Sequence, residues 1–188
     1  MISASISNSI KAYFTNVQNY DYYIERNYTV NEIIFSNNFH FIKNCVDFAT
    51  TKLREEKYLI SKDSGSTLLL IISIGSSVIS LNVGDTKSVI YNIKPAGSGF
   101  KVNDYQLSFD HKPEEPTERD RIIRSNGEVI RSTDGLQFGP YRVYCKGNDY
   151  PGLAMSRSIG DFDYYNIGII NDPYVSEFKR SKENKFLV

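Results

Sequence analysis

Apolar residues recur at helical spacing in two stretches of the first third of the chain. In the first stretch, residues 7–20, they follow Ser and Asn residues that suit a helix N-cap, and they are Ile10, Phe14 and Val17. In the second stretch the stripe is formed by Phe39, Ile42, Val46, Ala49 and Leu53. The pattern predicts two amphipathic helices that pack on a core. Between them, the Tyr- and Asn-rich residues 20–37 predict a loop with one further helical turn.

The next segments have the pattern of β-strands. Two nearly continuous apolar runs, 68–74 and 78–83, are separated by Gly75-Ser76, and a Gly-first pair in this position favours a tight hairpin turn. Residues 88–93 and 100–107 predict two more strands around a turn at 97–99. Sequential strands with short links favour an antiparallel meander.

The second half of the chain is less regular. Residues 118–125 predict a helix with acidic residues near its start and arginines further along, and Asn126-Gly127 is a strong stop signal. A short strand is predicted to begin at Val129, and residues 132–140 are predicted to be a loop. Two later segments have the pattern of strands, and they are 174–178 and 185–188.

Length and charge limit the function classes. A chain of 188 residues can form one domain that buries roughly 70% of the surface exposed by the unfolded chain. Lys plus Arg and Asp plus Glu are equal at 22 each, so no net charge favours nucleic acid or an acidic membrane as a partner. The most apolar stretch, 68–81, is broken by Gly75 and is too short for a membrane helix. We therefore predict a single globular domain with no membrane span.

The cysteines and the N-terminus bear on the compartment. Cys45 and Cys145 are the only two cysteines and lie far apart, which fits neither a disulfide framework nor a zinc site. Residues 1–9 lack the basic start and apolar block of a secretory signal. A reducing compartment is the simplest interpretation, and we expect a cytoplasmic or nuclear protein.

Carboxylate chemistry is the main catalytic option that the sequence offers. Signatures of phosphate-cradling loops, of nucleophile elbows and of paired histidines are absent, and His40 and His111 are the only histidines. Gly84-Asp85 follows the predicted strand 78–83, so a carboxylate is presented beside a residue that permits close approach. Such an aspartate suits a hard cation such as Mg²⁺ or Mn²⁺. The alternative is an aspartate that starts a turn.

Short motifs lie at most of the breaks between the predicted elements. In chain order they are Ser-Gly-Ser-Thr at 64–67, Asn-Val-Gly-Asp at 82–85, Asp-His-Lys-Pro at 110–113, Arg121-Ile122, Gly127, Arg142-Val143, Gly152 to Asp161 and Gly168 to Pro173. Their order and spacing resemble the consecutive motifs of metal-dependent protein serine/threonine phosphatases of the 2C type. The resemblance covers about residues 39–188.

The resemblance implies a fold and an activity. The expected fold is α+β, an antiparallel β-sandwich of two sheets flanked by helices in an α-β-β-α arrangement. Mg²⁺ or Mn²⁺ is expected in a cleft at one end of the sheets, where a metal-bridging hydroxide attacks phosphoserine or phosphothreonine; hard cations lower the pKa of bound water and neutralise phosphoryl charge. The expected partners are phosphorylated protein substrates or a regulatory protein.

The resemblance also implies roles for individual residues. Asp85 corresponds to an aspartate at a weaker, additional metal position, with Thr67 and Gly84 as supporting residues. Segment 131–152 corresponds to the flap beside the cleft. A structural role is implied for four further residues, which are Asp110, His111, Arg157 and Asp161.

Two departures from the family pattern matter. Residues 1–9 contain neither the phosphate-binding Arg nor the Asp-Gly-His-Gly-Gly segment, and an Ala-Ser-Asp-Gly segment would be expected after Val188. We therefore expect an incomplete phosphatase 2C-like domain that is inactive by itself. Two alternatives remain open: a catalytically dead, phosphatase-like module that binds proteins, and an unrelated antiparallel sandwich. Absent terminal strands would leave strand edges unpaired, which favours oligomerisation or poor solubility.

Overall fold

Helices and two three-stranded antiparallel sheets form the main layers of the computed structural model. The structure describes residues 2–56, 64–134, 137–147, 152–180 and 184–187. The helices are α1 Ile2–Thr15, α2 Asp21–Ile24, α3 Val30–Phe35, α4 His40–Glu55 and α5 Pro116–Arg124. The strands are β1 Gly65–Ser66, β2 Leu68–Ile74, β3 Ser77–Val83, β4 Val89–Ala96, β5 Gly99–Gln106, β6 Gly127–Asp134, β7 Gln137–Cys145, β8 Ile159–Gly160, β9 Tyr174–Lys179 and β10 Asn184–Leu187. Three 3₁₀ turns lie at Val17–Tyr20, Ser36–Phe39 and Phe162–Ile167.

The first sheet has the order β2-β3-β9, and helices α1 and α4 cover one of its faces. Its central strand β3 is buried along its whole length because it has a neighbour on each side and layers above and below. The core between helices and sheet contains the buried side chains of Ile6, Ile10, Tyr13, Ile42, Val46, Ala49, Leu53, Ile79, Leu81 and Val83. Because Val83, the last residue of β3, belongs to this core, the end of the strand is held in a fixed position.

The helical stripe and the first hairpin predicted from the sequence are confirmed. α4 buries the predicted apolar face, and β2 pairs with β3 through Ile74 and Ser77 around the Gly75-Ser76 turn. The first helix differs from the prediction, since α1 begins at Ile2 and ends at Thr15. The expected loop at 20–37 contains the two short helices α2 and α3.

The predicted meander is wrong. β4 and β5 form a hairpin as expected, but they belong to a second sheet of order β10-β4-β5, while β9 occupies the other side of β3. The two sheets contact each other through the apolar side chains of Val78, Ile90 and Leu107. Two antiparallel sheets with a helical layer confirm the expected α+β sandwich. β10 confirms the last predicted strand up to Leu187, and Val188 lies outside the described residues.

The predicted loop at 132–140 is also wrong. β6 and β7 form a two-stranded hairpin across this region, with an irregular register between Arg131 and Thr133. Each strand of this two-stranded sheet has a neighbour on one side only. Pro140, which has no N–H to donate, is tolerated in such an edge strand. The hairpin packs with α5 on a second apolar cluster formed by Ile122, Val143, Tyr164, Ile167 and Ile169. The interpretation of 131–152 as a flap stays a prediction, and residues 135–136 and 148–151 lie outside the described ones.

The helices among the described residues differ from membrane-spanning helices in length and in apolar character. None of the helices there combines the length and the apolar character that a span requires.

The two thiols differ in burial, which leads to a labelling prediction. Cys45 is fully buried in α4, and burial raises the pKa of its thiol to about 12. Cys145 is half-buried at the end of β7. Because only the thiolate reacts, we expect a disulfide reagent at neutral pH to modify Cys145 in the native protein and Cys45 only in urea. Equal labelling rates of the two thiols before unfolding would contradict this.

Candidate functional site

The end of β3 is fixed to the segment before α5 by a buried amide. The Asn82 side chain is fully buried; its Nδ2 donates to the Phe109 carbonyl at 2.7 Å and to the Gly84 carbonyl at 3.2 Å. In return, its Oδ1 accepts from the Phe109 N–H at 3.1 Å. Because a buried amide needs partners for all its polar atoms, this set of bonds holds the two segments in one register.

Gly84 lies at a point of close approach between three segments. Its φ is +93°, and a Cβ there would lie 2.4 Å from Thr67 Cγ2 and 3.3 Å from the Arg157 carbonyl oxygen. Only glycine suits both the left-handed conformation and the space. Thr67 is held in turn by the Thr86 hydroxyl, which donates to Thr67 Oγ1 at 2.9 Å. The structure therefore brings Thr67, Gly84 and Arg157 together.

His111 links the strand end to the segment that contains Arg157. Its ring is fully buried, with Nδ1 3.2 Å from the Gly84 nitrogen, and its backbone N–H donates to the Gly84 carbonyl at 3.1 Å. Its carbonyl accepts from the Ser156 N–H at 2.9 Å. Burial lowers the pKa of His111, and the Arg157 charge lowers it further. A neutral, buried imidazole of this kind joins segments together, and among the described residues its Nε2 has no hydrogen-bond partner.

Two ion pairs flank these contacts. The Lys112 ammonium bonds Asp85 Oδ2, and Lys87 Nζ lies 3.0 Å from Asp110 Oδ2. Both predicted carboxylates at this site, Asp85 and Asp110, are therefore neutralised by lysine side chains of the chain itself.

Arg157 binds a carboxylate that the sequence interpretation missed as a site residue. Glu118 of α5 is 1% exposed; its Oε1 lies 2.6 Å from Arg157 Nη2, and its Oε2 lies 3.0 Å from Arg157 Nε. Arg121 approaches the same two oxygens at 2.8 Å and 2.7 Å, and the Ser156 hydroxyl donates to Oε2 at 2.6 Å. Arg157 also donates to the Asp172 carbonyl at 2.7 Å. We call Glu118, Arg121, Ser156 and Arg157 the carboxylate hub.

The hub keeps Glu118 ionised. Burial by itself would raise the pKa of Glu118, but hydrogen bonds from Arg121, Arg157 and Ser156 hold it far below its ordinary value of 4.5. The signal that could have identified the hub is positional, because Glu118 lies one helical turn before the buried Ile122 and so faces the core. A charged residue on the apolar face of a helix indicates a buried partner.

Asp161 lies in a neighbouring contact between the short strands β1 and β8. Its N–H donates to the Ser64 carbonyl at 2.8 Å, and its backbone is left-handed with a φ of +48°. A Cβ on Gly65 would lie 2.1 Å from Asp161 Oδ2, so the glycine of the 64–67 motif leaves room for this carboxylate. Two of the predicted motifs thus meet at this ladder.

The described residues do not fit a two-metal centre. Among them, no group of three or more His, Cys, Asp or Glu side chains could hold a metal ion. Asp85, the predicted metal ligand, forms an ion pair with Lys112. The roles implied for Thr67, Gly84, Asp85, Asp110, His111, Arg157 and Asp161 stay predictions.

Comparison with known proteins identifies similar sequences. The sequence model of the family described as Protein phosphatase 2C matches residues 31–188. The chain is 34% identical over 138 residues to probable protein phosphatase 2C 48 of Oryza sativa, covering 73% of this chain and 38% of that protein. It is 33% identical over 150 residues to probable protein phosphatase 2C 34 of Arabidopsis thaliana, covering 80% and 40%. The chain thus spans about two fifths of the length of these relatives.

Similar folds are found among solved structures. A serine-threonine phosphatase 2C from Toxoplasma gondii superposes with a TM-score of 0.66 at 20% identity, over 84% of this chain and 55% of that one. A sex determining protein of C. elegans superposes with a TM-score of 0.60 at 14% identity, over 83% and 35%. At these identities the likeness concerns the fold alone.

Proposed function

This chain belongs to the protein phosphatase 2C family, and from that membership we propose that the protein hydrolyses phosphoserine or phosphothreonine esters in protein substrates. The match of the family sequence model to residues 31–188 carries the proposal. The family is generally metal-dependent and acts on phosphoproteins. Mg²⁺ or Mn²⁺ is the cation that its hydrolytic chemistry requires, since both activate water and neutralise phosphoryl oxygens.

The arrangement of the motifs supports this proposal. The motifs around Thr67, Gly84, His111 and Arg157 are distant in the sequence but meet at one end of β3. A rigid junction at a sheet end is the kind of scaffold that holds catalytic groups in a fixed geometry. The carboxylates among the described residues do not fit a metal site, so the support for the proposal comes from the family match and from this scaffold.

The proposed activity is tested by phosphate release. We expect the protein that contains this chain to release phosphate from a phosphothreonine peptide in the presence of Mn²⁺, and EDTA to abolish the release, because the family is generally metal-dependent. For the 188 residues alone the expectation stays that they are inactive. The heat-denatured chain under the same conditions is the control. A folded protein that releases no more phosphate with Mn²⁺ than with EDTA would contradict the proposed function, and release by the 188 residues alone that EDTA abolishes would contradict their expected inactivity.

The second candidate function is that of a phosphatase-like module that binds a phosphorylated or regulatory protein without hydrolysis. The observation that favours it is the ion pair between Lys112 and Asp85, which leaves the implied metal ligand engaged with another cation. This candidate predicts that the folded chain binds a phosphorylated protein and leaves its phosphate intact. Phosphate release that EDTA abolishes would exclude it.

A further inference from the structure

Asp85 lies at a junction between two segments of the chain, where its carboxylate is paired with a lysine side chain. It follows Gly84 at the end of β3, and its side chain is 27% exposed. The Lys112 ammonium, on a side chain that is 36% exposed, bonds its Oδ2. The carboxylate is thus partly withdrawn from solvent and has a cation against one of its oxygens.

A second ion pair joins the same two segments with the charges reversed. Lys87, two residues after Asp85, has its Nζ 3.0 Å from Oδ2 of Asp110, which lies two residues before Lys112. Each segment therefore contributes one acid and one base. We call Asp85, Lys87, Asp110 and Lys112 the charge clasp.

The backbone between the ion pairs fixes the clasp. The Gly84 carbonyl accepts from the His111 N–H at 3.1 Å, and the Gly84 N–H lies 3.2 Å from His111 Nδ1. The neighbouring amide of Asn82 binds both backbone groups of Phe109. Because these bonds are buried or partly buried, they hold the two segments in one register, and the charged side chains are presented in complementary positions at low entropic cost.

A divalent cation would meet unfavourable conditions at Asp85. Mg²⁺ takes six oxygen ligands, and Mn²⁺ likewise prefers oxygen ligands in octahedral geometry. The described residues around Asp85 provide no group of three candidate side chains. The ammonium of Lys112 lies on Oδ2, so a cation bound there would be repelled by a like charge or would have to displace it.

We propose that Asp85 is the ion-pair partner of Lys112 in the charge clasp and does not bind a divalent cation. This reverses the role that the family resemblance implies for Asp85. It is independent of the proposed phosphatase function, since it concerns a contact between two side chains of this chain and is measured without substrate.

A charge swap tests the ion pair directly. Asp85→Lys and Lys112→Asp each place like charges together, and for a chain of this size we expect each to lower Tm by about 2–4 °C. The double variant restores opposite charges, so its Tm should return close to that of the parent. Single variants as stable as the parent, or a double variant whose Tm falls by the sum of the two losses, would overturn the proposal.

The matched control is an acid–base pair that lies on a single exposed helix face and joins no two segments. Asp120 and Arg124 lie 3.8 Å apart on the exposed face of α5. The same swap, Asp120→Lys with Arg124→Asp, should leave Tm unchanged within about 1 °C, since exposed pairs contribute little. A restoration specific to Asp85 and Lys112 therefore reports the clasp.

Titration with Mn²⁺ alone tests the second half of the proposal. We expect the Mn²⁺ affinities of the parent and of Asp85→Asn, measured by calorimetry, to agree within about twofold, which corresponds to a small difference in binding free energy. If the parent shows no measurable Mn²⁺ binding, Asp85→Asn should show none either. Lys112→Met should not create a new site. A tenfold or larger weakening in Asp85→Asn would overturn the proposal. So would Mn²⁺ binding that appears in Lys112→Met and disappears in Lys112→Met with Asp85→Asn.

Discussion

Glu118→Gln is expected to destabilise the protein by about 3–5 kcal/mol, a large part of the stability of an ordinary domain. The substitution keeps the size of the side chain and removes its charge. Arg121 and Arg157 would then remain in a largely buried site with no carboxylate between them. Urea denaturation followed by circular dichroism measures the loss, provided that the slope of the transition is unchanged.

The control for Glu118 lies on the same helix. Asp120 is exposed and its distance to Arg124 is 3.8 Å, so Asp120→Asn should change the free energy of unfolding by less than about 1 kcal/mol. Equal losses in Glu118→Gln and Asp120→Asn would show that the carboxylate hub contributes no more than a surface pair.

The hub also predicts an acid-sensitive stability. The pKa of Glu118 in the folded protein lies below its ordinary value of 4.5, so the unfolded chain binds this proton more readily. The stabilisation by the carboxylate is therefore complete above pH 4.5 and is lost as the pH falls below it. Glu118→Gln should flatten the fall in stability over this acid range, while Asp120→Asn should retain it.

Gly160→Ala is the second substitution with a large expected effect, a loss of about 2–5 kcal/mol. Its φ of +94° is unfavourable for alanine. The new Cβ would also lie 2.5 Å from the Ser64 carbonyl oxygen and 2.7 Å from Gly65 Cα, which are backbone atoms of the paired strand. The β1–β8 ladder would have to separate, and urea denaturation measures the loss.

Gly97→Ala provides the comparison for backbone conformation alone. Gly97 has a φ of +57°, and a Cβ there would have no atom within 4 Å. Its replacement should cost only the conformational part, about 1–2 kcal/mol. Equal losses at Gly97 and Gly160 would show that the contact with Ser64 and Gly65 is relieved without cost.

The elements predicted correctly from the sequence are those with a local signal. α4 has an unbroken helical stripe, and the β2–β3 hairpin has a turn pair between two apolar runs. The predicted meander was wrong because β3 pairs with β9, which lies far from it in the sequence, and such a non-local pairing has no local sequence signal. The strand predicted to begin at Val129 lies within β6 but was predicted too short, and β7 was missed, because Gly139 and Pro140 are typical of loops, yet both are tolerated in an edge strand.

The site shows a similar division. The motifs around Gly84, His111 and Arg157 were found because glycines and turn residues mark them, and the structure brings them into contact. The partners of the charged residues were not found, because a pairing such as Arg157 with Glu118 is a tertiary contact with no local pattern. For the same reason the contact between Lys112 and Asp85 could not be predicted from the sequence.

The pairing of β3 with β9 has a consequence for synthesis on the ribosome. Ser77 of β3 bonds Glu177 of β9 across a separation of 100 residues. At a translation rate of about 5–20 residues per second, β3 would wait on the order of 5–20 s for this partner. During that interval one side of an apolar strand is unpaired in the nascent chain, so β3 would be exposed to association or to chaperone binding until β9 is synthesised.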